Sequence, residues 1–304
     1  MTNTSISTVV VGTDGSTGAL AAVRWAAGEA GRRRSELVIL HAYDEKWIAD
    51  EHLPDSGFAD IVAARAAETL ADADLAARAI APDLTVRRVE DAGEPVAALL
   101  EASRSASLAV VGSRGHGGFA ALLLGGVGHA VATHAQCPVV VVRGEHRSDA
   151  APVVVGVDGS PSGAIALDLA FRQALAAGCR LEAVRAFLRP APPWVADIAP
   201  SVLWLEEGIA EERALLAQLV APFRAIYPQV EVEELVDRSD AAHALIVASR
   251  RARLVVVGSR GMGQIRGTVM GSVGLRLLNH ANCPVLIARP GRPLTGSVVI
   301  PDRR

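Results

Sequence analysis

Residues 9–16 read VVVGTDGS, and residues 153–160 read VVVGVDGS. A second agreement follows in each half, because residues 108–143 align without gaps with residues 254–289, and 17 of these 36 positions are identical. Agreement of this kind at nearly constant spacing indicates an internal duplication. The chain is therefore expected to contain two copies of one domain.

The boundary between the copies falls near residues 144–151, GEHRSDAA, a short and polar stretch. The sequence predicts a first domain over residues 1–145, a second over residues 151–290 and a tail over residues 291–304. A total of 304 residues is about the length of two ordinary domains. Each copy is thus long enough to bury a core of its own.

Each copy alternates short apolar runs with Ala-rich segments. Several of the runs are continuous rather than alternating, which is typical of strands buried on both faces of a parallel sheet. The Ala, Leu and Arg content of the intervening segments favours helix. Strand followed by helix, four times over and ending on a strand, predicts an α/β fold: two tandem open parallel five-stranded sheets with helices on both faces. The predicted strands are 9–11, 37–40, 84–89, 108–111, 139–142, 153–157, 181–187, 230–236, 254–257 and 285–288, and the predicted helices of the first copy are 17–33, 58–80, 94–105 and 126–135.

The composition argues against several classes of protein. A net charge of −3 lacks the basic footprint of a nucleic-acid-binding protein. No apolar run reaches the roughly 20 residues needed to span a membrane, and the first residues lack the features of a signal peptide. The three cysteines Cys137, Cys179 and Cys283 are odd in number and far apart, which argues against a disulfide framework or a zinc site. We therefore expect a cytoplasmic protein with neither nucleic acid nor membrane as its partner.

Glycine-rich segments follow the fourth predicted strand of each copy. Gly112-Ser113-Arg114-Gly115 is followed by nine residues and then by Gly125-Gly126-Val127-Gly128, and Gly258-Ser259-Arg260-Gly261 is followed at the same spacing by Gly271-Ser272-Val273-Gly274. Ligands of such sheets bind beyond the carboxyl ends of the strands, where the strand order switches. Backbone N–H groups of a loop and a helix start form an anion site there. The spacing predicts a phosphate cradle, in which the side chains of Arg114 and Arg260 either reach a phosphate or face solvent.

Asp14 and Asp158 end the first strand of each copy, next to this predicted cradle. One interpretation is a turn or N-cap residue before the first helix, since Asp-Gly-Ser favours turns. The other is a contact to a base or sugar, or a ligand of magnesium. Both interpretations stay open, and one residue can satisfy both.

Together these segments resemble the universal stress protein family in its tandem two-domain form. The family's nucleotide motif is Gly-x2-Gly-x9-Gly-Ser/Thr, which the second copy matches through Gly258, Gly261, Gly271 and Ser272. The first copy departs from it, because Gly126 stands where the hydroxyl residue belongs. The opening Val-Gly-x-Asp-Gly-Ser and the closing Cys-Pro-Val also resemble the family in both copies.

The resemblance implies a strand order of 3-2-1-4-5, ATP bound at the switch in that order, and pairing of the two domains through their last strands. It also implies a backbone contact to adenine from the end of the second strand, which corresponds to Ala42 and Ala186. His116, at the position of Met262, is either a phosphate contact or an exposed loop residue. The full set expected at the first site is Gly12, Thr13, Asp14, Ala42, Gly112, Ser113, Arg114, Gly115, His116, Gly117, Gly118, Gly125, Gly126, Val127 and Gly128. The set expected at the second site is Gly156, Val157, Asp158, Ala186, Gly258, Ser259, Arg260, Gly261, Met262, Gly263, Gln264, Gly271, Ser272, Val273 and Gly274.

Three functional hypotheses follow. The first is an ATP-binding stress-response regulator, with magnesium as a candidate companion of the nucleotide, that acts through conformation or partner choice. It is favoured because the cradle has no lysine, paired carboxylates or nucleophile–base pair nearby, so we assign no catalytic residue. The second is a slow ATP hydrolase of the adenine-nucleotide alpha-hydrolase type, and the third is a scaffold whose sites bind nothing. The sequence leaves a homodimer open and predicts tighter binding at the second site.

Overall fold

The computed structural model describes residues 7–43, 57–115, 124–144, 148, 150–188, 202–261 and 270–290. In the first copy, strands and helices alternate along the chain as predicted. Its strands are β1 (Thr8–Gly12), β2 (Glu36–Ala42), β3 (Val86–Asp91), β4 (Leu108–Gly112) and β5 (Val139–Val142). Its helices are α1 (Thr17–Arg33), α2 (Gly57–Arg78), α3 (Pro95–Ser103) and α4 (Gly126–His134).

The second copy repeats this order of elements. Its strands are β6 (Val153–Gly156), β7 (Leu181–Ala186), β8 (Val232–Asp237), β9 (Leu254–Gly258) and β10 (Val285–Ala288). Its helices are α5 (Pro161–Ala177), α6 (Val202–Ile226), α7 (Ala241–Ala248) and α8 (Ser272–His280). Contacts divide the described chain into two compact units, one holding β1 to β4 and the other holding β6 to β10 with Val140–Val142 of β5.

The strand order of each copy is the predicted 3-2-1-4-5. In the first copy it reads β3-β2-β1-β4-β5, and in the second β8-β7-β6-β9-β10. The strand β1 pairs in parallel with β2 and β4, and β6 pairs in parallel with β7 and β9. The order therefore switches at β1 and at β6, which fixes where a ligand of such a sheet binds. The predicted α/β fold is confirmed.

The core is built from small aliphatic side chains. Every residue of β5 and of β10 is buried, as are the central residues of β1, β4, β6 and β9. Ala22, Ala26, Ala27 and Ala30 of α1 have no exposed surface. Continuous apolar strands covered by Ala-rich helices explain how a chain with only 4% aromatic residues forms a dense core.

Two predicted strands begin later than expected. The sequence predicts Leu84 and Val230 as first strand residues, but β3 begins at Val86 and β8 at Val232. Each lies in a turn: Leu84 N donates to Ala81 O at 3.1 Å, and Val230 N donates to Tyr227 O at 3.1 Å. Both side chains are buried, so they are apolar for packing reasons and not because they belong to a strand.

No helix in the described ranges is both long and apolar enough to cross a membrane.

Candidate functional site

A cavity of about 240 Å3 lies at the switch in strand order of the second copy. It sits beyond the carboxyl ends of β6 and β9, and α7 and α8 supply further walls. Eleven of its lining residues belong to the set predicted from the sequence: Gly156, Val157, Asp158, Ala186, Gly258, Arg260, Gly261, Gly271, Ser272, Val273 and Gly274. Four apolar lining residues were not predicted from the sequence: Val184, Ala241, Leu245 and Val257.

The helix that faces this cavity begins without a side-chain cap. Gly271 is the N-cap of α8, with φ −74° and ψ 155°, and makes no capping hydrogen bond, and Gly125 begins α4 in the same way. Unsatisfied N–H groups at a helix start favour an anion. Four other helix starts are capped by an acceptor side chain, from Ser16, Glu94, Ser160 and Asp240.

Backbone hydrogen bonds hold each of these helix starts against the end of the preceding strand. Gly271 N donates to Ser259 O at 2.9 Å, and Gly125 N donates to Ser113 O at 2.9 Å. Ser259 itself is buried and supplies this carbonyl. The two ends of each glycine loop are therefore held together, and in the second copy they meet at the cavity edge. The predicted loop contacts His116, Gly117, Gly118, Met262, Gly263 and Gln264 lie outside the described residues.

Gly112 and Gly258 have a packing role that the sequence analysis did not assign. A Cβ on Gly258 would lie 2.9 Å from the carbonyl carbon of Ser162, and one on Gly112 would lie 2.8 Å from the carbonyl oxygen of Gly18. Each glycine lets the first turn of α1 or α5 pack directly on the end of a strand. These glycines are therefore required by the protein's own backbone, whatever ligand is bound.

The carboxylates of Asp14 and Asp158 act in turns and also lie against the glycine loops. Asp158 Oδ1 accepts hydrogen bonds from Ser160 N at 2.9 Å and Ser160 Oγ at 2.7 Å, and Asp14 Oδ1 accepts one from Ser16 N at 3.0 Å. A Cβ on Gly261 would lie 2.9 Å from Asp158 Oδ2. Because Asp158 also lines the cavity, its position is compatible with both interpretations.

The carbonyls of Arg114 and Arg260 contact the first turn of the first helix in each copy. A Cβ on Gly18 would lie 2.7 Å from Arg114 O, so only glycine fits there. At the equivalent position, the Ser162 hydroxyl donates to Arg260 O. Both arginine residues are exposed, and Arg260 lines the cavity.

The end of the second strand extends past the first strand in each copy. The ladder between β6 and β7 stops at Gly156 opposite Val184, and Ala186 lies two residues further on. In the first copy the ladder stops at Gly12 opposite Leu40, and Ala42 lies two residues beyond. The structure therefore puts the two predicted adenine contacts at the edge where the strand order switches.

The first copy differs from the second at two positions of this edge. Thr13 stands where Val157 lines the second cavity, and its hydroxyl accepts a hydrogen bond from Gly15 N at 3.2 Å. Gly126 stands where Ser272 begins α8, and a Cβ on Gly126 would meet no atom within 4 Å. Val127 is partly exposed and Gly128 is buried in the first turn of α4.

Within the described residues, no group of three or more His, Cys, Asp or Glu side chains is arranged to hold a metal ion. Asp158 is the carboxylate that lines the cavity. Magnesium is usually held in proteins by one or two carboxylates together with substrate phosphates. A magnesium ion at this cavity would therefore need ligands from the phosphates of a nucleotide.

Comparison with known proteins agrees with this arrangement of elements. The sequence profile of the universal stress protein family matches residues 5–143 and 151–289. The chain is 34% identical over 293 residues to a universal stress protein of Mycolicibacterium smegmatis, covering 93% of this chain and 97% of the relative. It is also 34% identical over 305 residues to a universal stress protein of Mycobacterium tuberculosis, covering 92% of this chain and 96% of the relative.

A crystal structure of a universal stress protein from Archaeoglobus fulgidus has the same fold, with a TM-score of 0.69 at 18% identity, covering 93% of this chain and 96% of that one. The sequence matches span both copies and nearly the whole chain. The chain belongs to the universal stress protein family, in a form that contains two copies of the family domain.

Proposed function

We propose that this protein is an ATP-binding stress-response regulator with one adenine-nucleotide site in each copy, and that the second site binds more tightly. One observation carries the proposal: the cavity beyond β6 and β9 joins an uncapped helix start to an apolar wall. A nucleotide matches these two features, because its phosphates are anionic and its base is flat with apolar faces. Occupancy would then change conformation or the choice of partner.

The start of α8 supports the phosphate end of this site. The N-terminus of a helix carries the equivalent of roughly half a positive charge. Ser272, Val273 and Gly274 form the first turn, which has no side-chain cap, and all three line the cavity. The hydroxyl of Ser272 adds a further donor for an anionic oxygen. Phosphates bound here need no lysine, because backbone N–H groups supply the hydrogen bonds.

Apolar side chains support the base end. Val184 of β7, Leu245 of α7 and Val257 of β9 line the same cavity, with Ala186 at the strand edge. Small-molecule sites are lined mainly by apolar side chains with a few polar groups, which suits the apolar faces of a base. The strand end at Ala186 provides backbone groups beyond the β6 ladder, where a base edge can form hydrogen bonds.

Release of nucleotide from purified protein tests the proposal. The full chain is purified without added nucleotide, precipitated with acid, and the supernatant is analysed by absorbance and mass spectrometry. We expect an adenine nucleotide in an amount comparable to that of the protein, or saturable binding of added ATP when none co-purifies. Neither retained nucleotide nor saturable binding of ATP would support the scaffold hypothesis instead.

Slow ATP hydrolysis is the second candidate, because Asp158 and Arg260 both line the cavity. Asp158→Asn tests it, since asparagine keeps an oxygen acceptor for Ser160 while it removes the negative charge. If the protein is a regulator, its steady-state rate of ATP hydrolysis should be no higher in the wild type than in Asp158→Asn. Turnover that the substitution abolishes, with ATP binding retained, would favour the hydrolase.

A further inference from the structure

A side chain near the end of the second strand holds the loop after the first strand in each copy. His41 Nδ1 lies 2.8 Å from Thr13 O, and Arg185 donates through Nη1 to Val157 O at 3.4 Å. His41 and Arg185 occupy equivalent positions, one residue before Ala42 and Ala186. The two copies therefore fix the same carbonyl with different side chains.

In the second copy the arginine is itself held by an acid on another helix. Arg185 Nε lies 2.5 Å from Glu212 Oε2, and the two side chains are only 10% and 16% exposed. Removing two charges from water is costly, and their mutual attraction offsets this cost only when the geometry of the ion pair is good. The contact joins α6 to β7 and, through Arg185, to Val157.

Val157 links this ion pair to the proposed nucleotide site. Val157 lines the cavity, its N–H donates to Val184 O at 2.9 Å, and its carbonyl accepts from Arg185. Both backbone groups of Val157 are thus held from β7. The next residue is Asp158, so the orientation of the Val157 peptide unit sets where the Asp158 loop begins.

We propose that Arg185, oriented by Glu212, is a positioning residue for the second nucleotide site. It does not line the cavity and acts through the Val157 carbonyl. His41 plays the same part at the first site through Thr13. This inference rests on the proposed function, because it concerns how well the site is shaped for an adenine nucleotide.

The test compares ATP affinity with thermal stability in five proteins: the wild type, Arg185→Met, Arg185→His, the double variant Arg185→Met with Glu212→Gln, and Arg251→Met. Methionine fills a similar volume without a donor. Histidine reproduces the donor that the first copy uses at this position. Arg251→Met is the matched control. Arg251 Nη2 lies 2.7 Å from Oε2 of the buried Glu182, which is on the same strand as Arg185, so this variant also removes a partner of a buried charge on β7. Titration calorimetry of the nucleotide-free full chain gives the affinity of the tighter step, and a melting curve gives the stability.

We expect Arg185→Met to weaken the tighter step about tenfold, the loss that corresponds to roughly one hydrogen bond. Arg185→His should recover most of the affinity. The double variant should recover stability, because no buried charge remains unpaired, but not affinity. Arg251→Met should melt at a lower temperature and bind ATP like the wild type.

The positioning role is overturned if Arg185→Met binds ATP like the wild type, or if the double variant regains affinity together with stability. It is also overturned if Arg185→His binds no better than Arg185→Met. Wild-type protein that binds no ATP would overturn the proposed function, and the positioning role with it.

Discussion

Substitution of two glycines in the second copy should separate the ligand's needs from those of the fold. Gly271→Ala puts a Cβ at the start of α8, where the nearest atoms outside its chain neighbours are 3.7 Å away and Gly271 lines the cavity. Gly258→Ala puts a Cβ 2.9 Å from the Ser162 backbone. The first change is expected to act on binding, and the second on stability.

The magnitudes follow from these distances. Overpacking typically costs about 1–3 kcal/mol, and each kcal/mol lowers Tm by roughly 2–4 °C in a domain of about 150–250 residues. Gly258→Ala should therefore lower Tm by about 2–12 °C on these scales. At an N-cap, alanine is worse than glycine by less than about 1 kcal/mol, so Gly271→Ala should melt nearly like the wild type. The Cβ that Gly271→Ala adds at the cavity should displace a phosphate from the start of α8, and loss of one hydrogen bond to a charged group, about 1.5–3 kcal/mol, should weaken ATP binding tenfold or more.

The assay measures Tm without nucleotide by differential scanning calorimetry and ATP affinity by titration calorimetry. Gly125→Ala is the matched control in the first copy, because its Cβ would also have ordinary contacts, the nearest at 3.7 Å. It should leave the second site unchanged. Unaltered ATP affinity in Gly271→Ala would refute the placement of phosphates on α8. A wild-type Tm in Gly258→Ala would refute the packing role of that glycine.

Three further outcomes are expected. Gly126→Ser should raise ATP affinity at the first site about tenfold, because its Cβ meets no atom within 4 Å and its hydroxyl can donate to a phosphate; unchanged affinity in a two-site titration would contradict this. Burial, with a hydrogen bond to Asp168, raises the pKa of Tyr227 to about 12. The folded protein therefore favours the neutral phenol. The stability that this provides is intact below the pKa of an unfolded tyrosine, about 10, and is lost as pH rises towards about 12. Urea unfolding at both ends of this pH range should show a drop in the free energy of unfolding in the wild type and not in Tyr227→Phe. Glu94→Ala should lower stability by about 0.5–2 kcal/mol, because the Glu94 carboxylate caps α3 through Val96 N and Ala97 N; equal urea midpoints would count against that cap.

The sequence was sufficient for the family, the strand order and the edge of the sheet at which the loops converge. Repetition made this possible, because each glycine motif occurs twice in the same strand–loop–helix context. Turns were harder to locate, since buried apolar residues such as Leu84 and Val230 look like the start of a strand.

The missing parts of the candidate site depend on contacts between distant residues. Leu245 and Val184 have the apolar pattern of any core residue, and only the fold shows that they line the cavity. A glycine at position 258 is expected both for close approach to a ligand and for close packing on the Ser162 backbone, and the sequence alone does not distinguish the two. The pair of Arg185 and Glu212 joins a strand to a helix 27 residues further along, without any spacing rule to reveal it.

Binding of ATP to the nucleotide-free full chain, measured by titration calorimetry for the wild type and Gly271→Ala, shows whether a nucleotide binds at the start of α8. We expect saturable binding in the wild type and a tighter step that the substitution weakens at least tenfold. Heats that do not saturate in the wild type, or two titrations that superimpose, would contradict it.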